Sequence, residues 1–362
     1  MASYQRPSTA GPVRRPALAR QGTAGSVAAS RRLFLVAVDG SELSMRGVRL
    51  AAYLMLPERD RIKVVMVDMP KRAAPASVEE SLALAEADRS VQSPHEVLMT
   101  ARSELIKCGC PSEKVLTEEL SLDHPGTGGA DTLQAVAELL VMLSNRMLRR
   151  QSGMLVLGAA GKGKAQKGSA RKAVDMGPVA QYVLKNAKCA VTLCKEAQLG
   201  LDSPLRATRF ALHICVCADG STTSRGAFDQ ALRFCKPGDK LSVLHIESAA
   251  DTPNSGESLS SARESKQLVQ RYWEVECEKI SFTCDGLAVN FAPVQKPRGS
   301  TVVDCILRFV DANRCQLCVM GSVELIRQQG VVLGSVAQAV ANRSRAHCCI
   351  VKQYGQEESI GF

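Results

Sequence analysis

A chain of 362 residues, 45% of them hydrophobic and 23% charged, is long enough for two domains with cores of their own, and none of its apolar runs reaches the ~18 to 20 residues of a membrane-spanning helix. The formal charge of +10 would suit a nucleic-acid partner, yet six of those charges are Arg6, Arg14, Arg15, Arg20, Arg31 and Arg32, in an opening stretch without a single acid. The remainder is near +4 and lacks the clustering that a basic recognition surface needs, so neither a membrane span nor a nucleic-acid partner is expected.

Residues 1–32 read as a disordered basic tail, because they lack the apolar stretch of a secretory signal. An organelle transit peptide is the alternative, although Pro7, Pro12 and Pro16 would interrupt its amphipathic helix; a cytoplasmic location is the expectation. Leu33 to Val38 is then a buried strand that turns at Asp39-Gly40-Ser41 into a helix, which Ser41 or Ser44 can cap. Met45, Val48, Ala52 and Met55 form its buried face, with Arg46, Arg49 and Tyr53 elsewhere on the wheel. A strand over Ile62 to Val67 follows, then a long connection to about Gln92, a helix over about 94 to 107 and a strand around Val115 to Leu120. Asp131 reads as an N-cap with Gln134 closing a capping box, ahead of a stripe of Leu133, Val136, Ala137 and Leu140. Met154 to Leu157, Pro178 to Lys185 and Ala190 to Leu193 complete this half as strand, helix and strand.

The order then repeats. Ala211 to Ala218 runs into Asp219-Gly220-Ser221 as Leu33 to Val38 runs into Asp39-Gly40-Ser41, and Gly177-Pro178-Val179-Ala180-Gln181 returns as Gly334-Ser335-Val336-Ala337-Gln338. Phe228, Ala231, Leu232 and Cys235 line the helix after the second corner, and strands are expected near Leu241 to Ile246, Ala288 to Ala292, Gln316 to Met320 and Cys348 to Val351. A polar helix with Leu268, Tyr272 and Val275 and another over about 300 to 313 intervene. An internal duplication therefore divides the chain into 33–195 and 208–353, joined by a linker at 196–207 and followed by a tail at 354–362. Strands alternating with helices imply an α/β fold: two tandem open parallel five-stranded sheets with helices on both faces, Rossmann-like, with ligand at the carboxyl ends of the strands near a topological switch point.

The fourteen cysteines, in a long chain without a secretory signal, are expected to be reduced. Cys215 and Cys217, two apart in a strand, share a face and pack there as small apolar groups. Cys315 and Cys318 spell a CxxC, but residues three apart on a strand face opposite sides of a sheet, so one ion would not take both. Native protein is accordingly expected to hold no zinc and to need no disulfide. The five histidines fall in no ligand spacing.

In each half the acid after strand one, the end of strand two and a glycine-containing loop before a helix converge at the switch point, where small residues and free helix N–H groups suit a phosphate. On these residues both halves resemble universal stress protein domains, from Leu33 to Lys352. In the ATP-binding members of that family the Asp contacts adenine, a Val ends strand two, and the loop reads G-x2-G-x9-G-[ST]. The resemblance implies Asp39, Val67, Gly158, Gly161 and Gly177 as nucleotide-binding residues in the first half, and Asp219, Ile246, Gly321, Gly334 and Ser335 in the second. It implies ATP or AMP as ligand, with magnesium entering alongside ATP, and a sensor or regulator in a stress response, in which hydrolysis is at most slow and incidental. The alternative is a scaffold that works through protein contacts without nucleotide. No nucleophile, base and acid stand together beside these positions, so no catalytic residue is assigned.

Both loops depart from the pattern. Between Gly161 and Gly177 there are 15 residues instead of nine, including Lys162, Lys164, Lys167, Arg171 and Lys172, and Pro178 replaces the Ser or Thr, removing an N–H donor. The same stretch approaches a Walker A loop, Gly158-x4-Gly163-Lys164, but Ala165 lacks the hydroxyl that would hold magnesium. In the second half the count of nine holds, but Glu324 replaces the middle glycine. A carboxylate about 4 Å from a phosphate at an effective dielectric near 20 would cost on the order of 4 kcal/mol, so the first site is expected to bind more tightly. Domains of this family commonly pair through strand five, so Ala190 to Leu193 and Cys349 to Val351 are expected to meet in an intramolecular pseudo-dimer, with a homo-oligomer as a further assembly.

Overall fold

The computed structural model describes residues 31–68, 92–122, 130–148, 153–161, 176–195, 211–247, 259–322, 325–327 and 330–352. In the first half, β1 (Leu33–Ala37), β2 (Arg61–Asp68), β3 (Val115–Ser121), β4 (Met154–Gly158) and β5 (Ala190–Cys194) alternate with α1 (Glu42–Leu54), α2 (Pro94–Lys107), α3 (Ala130–Leu148) and α4 (Pro178–Asn186). The second half holds β6 (His213–Cys217), α5 (Thr222–Phe234), β7 (Lys240–Glu247), α6 (Leu259–Thr283), β8 (Ala288–Gln295), α7 (Val302–Ala312) and β9 (Leu317–Ser322). After these come a small hairpin of β10 (Leu325–Arg327) and β11 (Gly330–Val332), then α8 (Ser335–Arg343) and β12 (His347–Lys352).

The strands form one ten-stranded sheet in the order β3-β2-β1-β4-β5-β12-β9-β6-β7-β8, so each half contributes the same five-strand order. Pairing is parallel within each half, and the expected meeting of the two fifth strands is present. β5 and β12 run antiparallel with Cys348 opposite Leu193, Cys349 opposite Thr192 and Ile350 opposite Val191. Strand alternation sends Phe34 and Val36 to one face and Leu35 to the other. Helices α1, α2, α5 and α6 cover the first face, and α3, α4, α7 and α8 the second, giving two cores that each run through both halves.

Burial across the junction changes several residues that look peripheral in sequence. Tyr53 lies off the apolar stripe of α1, yet it is 7% exposed, because the second half covers it. Its hydroxyl donates to Asp239, a carboxylate that also accepts from the Leu212 and Lys236 N–H groups. Arg32, which the sequence groups with the basic tail, is buried against Asp60 and donates through a second nitrogen to the Arg233 carbonyl of the other half. Lys195, just after β5, and Lys352, the last residue of β12, each reach the carboxyl end of the other half's last helix: Lys195 Nζ lies 3.5 Å from the Asn342 carbonyl and Lys352 Nζ 2.6 Å from that of Ala187. Ammonium groups suit those helix ends, where unpaired carbonyls carry partial negative charge.

One local expectation is corrected, and two features go beyond the sequence analysis. α3 begins at Ala130, so Asp131 lies inside the helix and Gln134 donates to Glu138 rather than closing a capping box; Leu133 is exposed, and the buried stripe is Ala137 with Leu140. In α6 Leu268 is 65% exposed, and the buried anchor is Trp273, which packs edge-on to Phe228 of α5. The β10–β11 hairpin has no counterpart in the sequence reading, since three-residue strands leave no periodic signal.

Candidate nucleotide site

Each Asp-Gly-Ser corner folds on its own hydrogen bonds. Asp39 Oδ1 accepts from the Ser41 N–H at 2.9 Å, and Ser41 Oγ caps α1 by accepting from the Ser44 N–H at 3.2 Å. Asp219 and Ser221 repeat the arrangement at 3.0 Å, with Ser221 Oγ accepting from the Ser224 N–H at 3.1 Å. Gly40 and Gly220 hold φ at 73° and 85°, which an L side chain resists. These bonds use one carboxylate oxygen, Oδ1, for the turn.

In the first half the second oxygen of Asp39 points toward the loop after β4. A Cβ placed on Gly161 would stand 2.9 Å from Asp39 Oδ2, so the carboxylate packs against bare backbone. Gly158, at the end of β4, lies against the first turn of α1, where a Cβ would meet the Ser44 nitrogen at 3.1 Å. Gly177 is the N-cap of α4, and its N–H donates to the Ala159 carbonyl at 2.8 Å, which folds the returning chain back over Ala160 and Gly161. Asp39, Gly158, Gly161 and Gly177 are thus drawn together between β1 and β4, where the strand order reverses, with half-buried Val67 near the end of β2. Pro178 follows as the first residue of α4 and leaves that turn one N–H short. The basic residues Lys162 to Lys172 lie outside the described residues.

The second half keeps the corner but fills the space differently. Gly321 is pressed so closely on Thr223 at the start of α5 that a Cβ would overlap the Thr223 carbonyl. Gly334 remains the N-cap of α8 and Ser335 its first residue, but the Gly334 N–H already donates to Ser322 Oγ at 3.2 Å. The hairpin occupies the stretch between them. Val269 of α6 sits over the corner, 2.8 Å from where a Gly220 Cβ would lie, while Asp219 is exposed and Ile246 half-buried near the end of β7. Glu324 lies outside the described residues. Ser322 and Val269 were not legible in the sequence: Ser322 follows the loop glycine without a motif, and Val269 acts from a helix fixed by packing.

Beneath this second corner the cysteines are closer than the sequence indicates. Cys215 and Cys217 do share a face, but Cys318 joins them from β9, with all three sulfurs within 4.8 Å of one another. The opposite-face argument for Cys315 and Cys318 does not hold. Arg314 adopts φ 51° and the Cys315 N–H closes back on Val310, so Cys315 precedes the strand, and both thiols enter the same core. Hydrogen bonds from Cys215 and Cys318 hold the Cys217 thiol below the usual thiol range.

Among the described residues no helix is long and apolar enough to cross a membrane. Among solved structures the chain is similar to a universal stress protein from Archaeoglobus fulgidus, with 17% identity, a TM-score of 0.51, and coverage of 88% of this chain and 98% of that one. A putative universal stress protein from Pseudomonas aeruginosa aligns at 14% identity and a TM-score of 0.48, covering 89% and 93%. A universal stress protein in complex with cAMP aligns at 21% identity and a TM-score of 0.29, covering 39% of this chain and 96% of that one. At such identities the likeness is one of fold. No curated protein matches the sequence. The model of the universal stress protein family matches residues 31–195 and again 212–352, and with that double match over most of its length the chain belongs to the universal stress protein family.

Proposed function

We propose that this tandem protein binds an adenine nucleotide, ATP or AMP, at the β1–β4 crevice of its first half and acts as a sensor or regulator. The observation that carries this reading is the placement of Asp39 Oδ2 against Gly161, beside the glycine that opens α4. A carboxylate oxygen aimed along bare backbone suits the amino and hydroxyl donors of a nucleoside, and the remaining N–H groups of the α4 start suit its phosphates. Pro178 weakens the phosphate end by one donor, worth roughly 1.5 to 3 kcal/mol when the partner is charged. Magnesium would enter only with ATP.

The second half is the weaker site in this reading, because Val269 closes over its corner and Ser322 has taken the Gly334 N–H. Those two contacts favour a second role for that half, as a folded platform working through protein contacts. Equilibrium binding of ATP and AMP to the purified full chain, with a check for copurified nucleotide, tests the proposal. Asp39→Ala should weaken binding much more than Asp219→Ala. Unchanged affinity in Asp39→Ala, or no binding at millimolar ATP, would replace the nucleotide reading with the scaffold reading.

A further inference from the structure

The three clustered thiols are specific to the second half, and the duplication supplies an internal comparison. Cys215 pairs in register with Cys318 as Leu35 pairs with Leu155, and Cys217 stands where the first half has Ala37. The first half therefore builds the same layer of its core from Leu, Ala and Leu, so folding alone does not require sulfur there. All three second-half positions have changed to the one side chain that combines small size with soft-metal affinity.

The spacing fits a single ion. With metal–sulfur bonds of about 2.3 Å, thiolates around one centre lie about 3.8 Å apart in a tetrahedral site and about 4.0 Å apart in a trigonal one. Cys217 Sγ and Cys318 Sγ are 3.9 Å apart, and the third sulfur keeps within 4.8 Å of both. Cys215 and Cys318 are buried at 0% and 1% exposure, while Cys217 is partly exposed two residues before the Asp219 corner. Entry would come from that side. Two of the three sulfurs are thus buried and one is partly exposed. Cys315 enters the same core from outside the trio.

We propose that Cys215, Cys217 and Cys318 form a binding site for one thiophilic d10 cation, cuprous or zinc, at the carboxyl end of β6. Binding displaces the thiol protons to solvent as the metal–sulfur bonds form, without any change in oxidation state. This site does not depend on nucleotide binding. It replaces the expectation of a metal-free protein, because it joins the Cys215 and Cys217 pair, read from the sequence as apolar packing, to one member of the CxxC, Cys318.

The test is titration of the fully reduced full-length protein, without oxygen, with cuprous ion against a chromophoric chelator and separately with zinc. X-ray absorption of the loaded protein follows. One equivalent of either ion should bind, with sulfur neighbours at about 2.3 Å. Cys217→Ala and Cys318→Leu, which install the residues of the first half, should each weaken binding by more than the roughly 100-fold that losing a group outside the ligand set can cost. Cys349→Thr, on the opposite face of the sheet and matching Thr192, should leave it unchanged. Should Cys318→Leu fail to fold, Cys217→Ala, at a partly exposed position, decides the matter. Failure of both ions to bind at one equivalent, or wild-type affinity in a folded Cys217→Ala, would overturn the proposal.

Discussion

Tyr53 of the first half donates its hydroxyl hydrogen to the buried carboxylate of Asp239 in the second, so the end of α1 is anchored by a residue 186 positions away in sequence. Asp239 also ties down the Leu212 and Lys236 N–H groups, which makes it a staple between the entry of β6, the turn before β7 and the other half. Burial raises the Asp239 carboxyl above its usual range, and the Tyr53 hydrogen bond works against that rise. Tyr53→Phe should therefore destabilise the protein by about 1 to 3 kcal/mol, the cost of leaving a buried acceptor short of a donor. In denaturant unfolding the loss should be strongly non-additive with Asp239→Asn, and simple additivity would show that the contact does not couple the halves.

The seam between β5 and β12 should be acid-sensitive through His347. This ring is fully buried, its Nδ1 accepts from the Lys195 N–H at 3.1 Å, and desolvation, with Arg46 adding repulsion, lowers it from 6.5 to about 3. Between those two values the unfolded chain binds a proton that the folded protein does not. The stability associated with neutral His347 is complete above pH 6.5 and drains as pH falls toward 3, at up to about 1.4 kcal/mol per pH unit. Unfolding midpoints measured from pH 7 to 4 should show this slope, and His347→Asn should flatten it.

Gly321, near the end of β9, and Gly161, three residues beyond β4, should fail in different ways. Gly321→Ala places a methyl into the Thr223 backbone, which has no rotamer to yield, so the variant should lose several kcal/mol of stability, on the order of other overpacked sites. Gly161→Ala meets only a carboxylate oxygen, which can swing away. That variant should melt near wild type yet lose nucleotide affinity, because Asp39 is displaced. Thermal melts paired with ATP titration separate the two.

Arg32 should prove structural despite its place beside the basic tail. Its guanidinium spans Asp60 and the Arg233 carbonyl, and it faces the rings of Phe34 and Phe234. Arg32→Ala strands a fully buried carboxylate and should cost about 3 to 5 kcal/mol, whereas Arg32→Ala with Asp60→Asn should recover part of the loss. Equal stability of the two variants by chemical denaturation would contradict this.

The continuous sheet predicts that both halves tumble together. Backbone amide relaxation should give one correlation time for residues 33–194 and 213–352, and two independent values would mean that the β5–β12 pairing does not persist in solution.

Sequence alone determined the duplication, the α/β class and nearly all strands and helices, because apolar runs and 3.6-residue periodicity are local properties of the chain. It also marked the Asp39 and Asp219 corners, since Asp-Gly-Ser carries its own turn and cap. Tertiary structure decided which acid meets bare backbone, because the Gly161 contact and the Val269 cover depend on elements packed from far along the chain. It decided the burial of Tyr53 and Arg32, both of which bond to residues of the second half. It also decided that Cys318, and not the CxxC pair as such, completes the thiol cluster. Strand register, set by the packing of both faces, places Cys318 beside Cys215, and no local spacing encodes which residue of a neighbouring strand stands opposite.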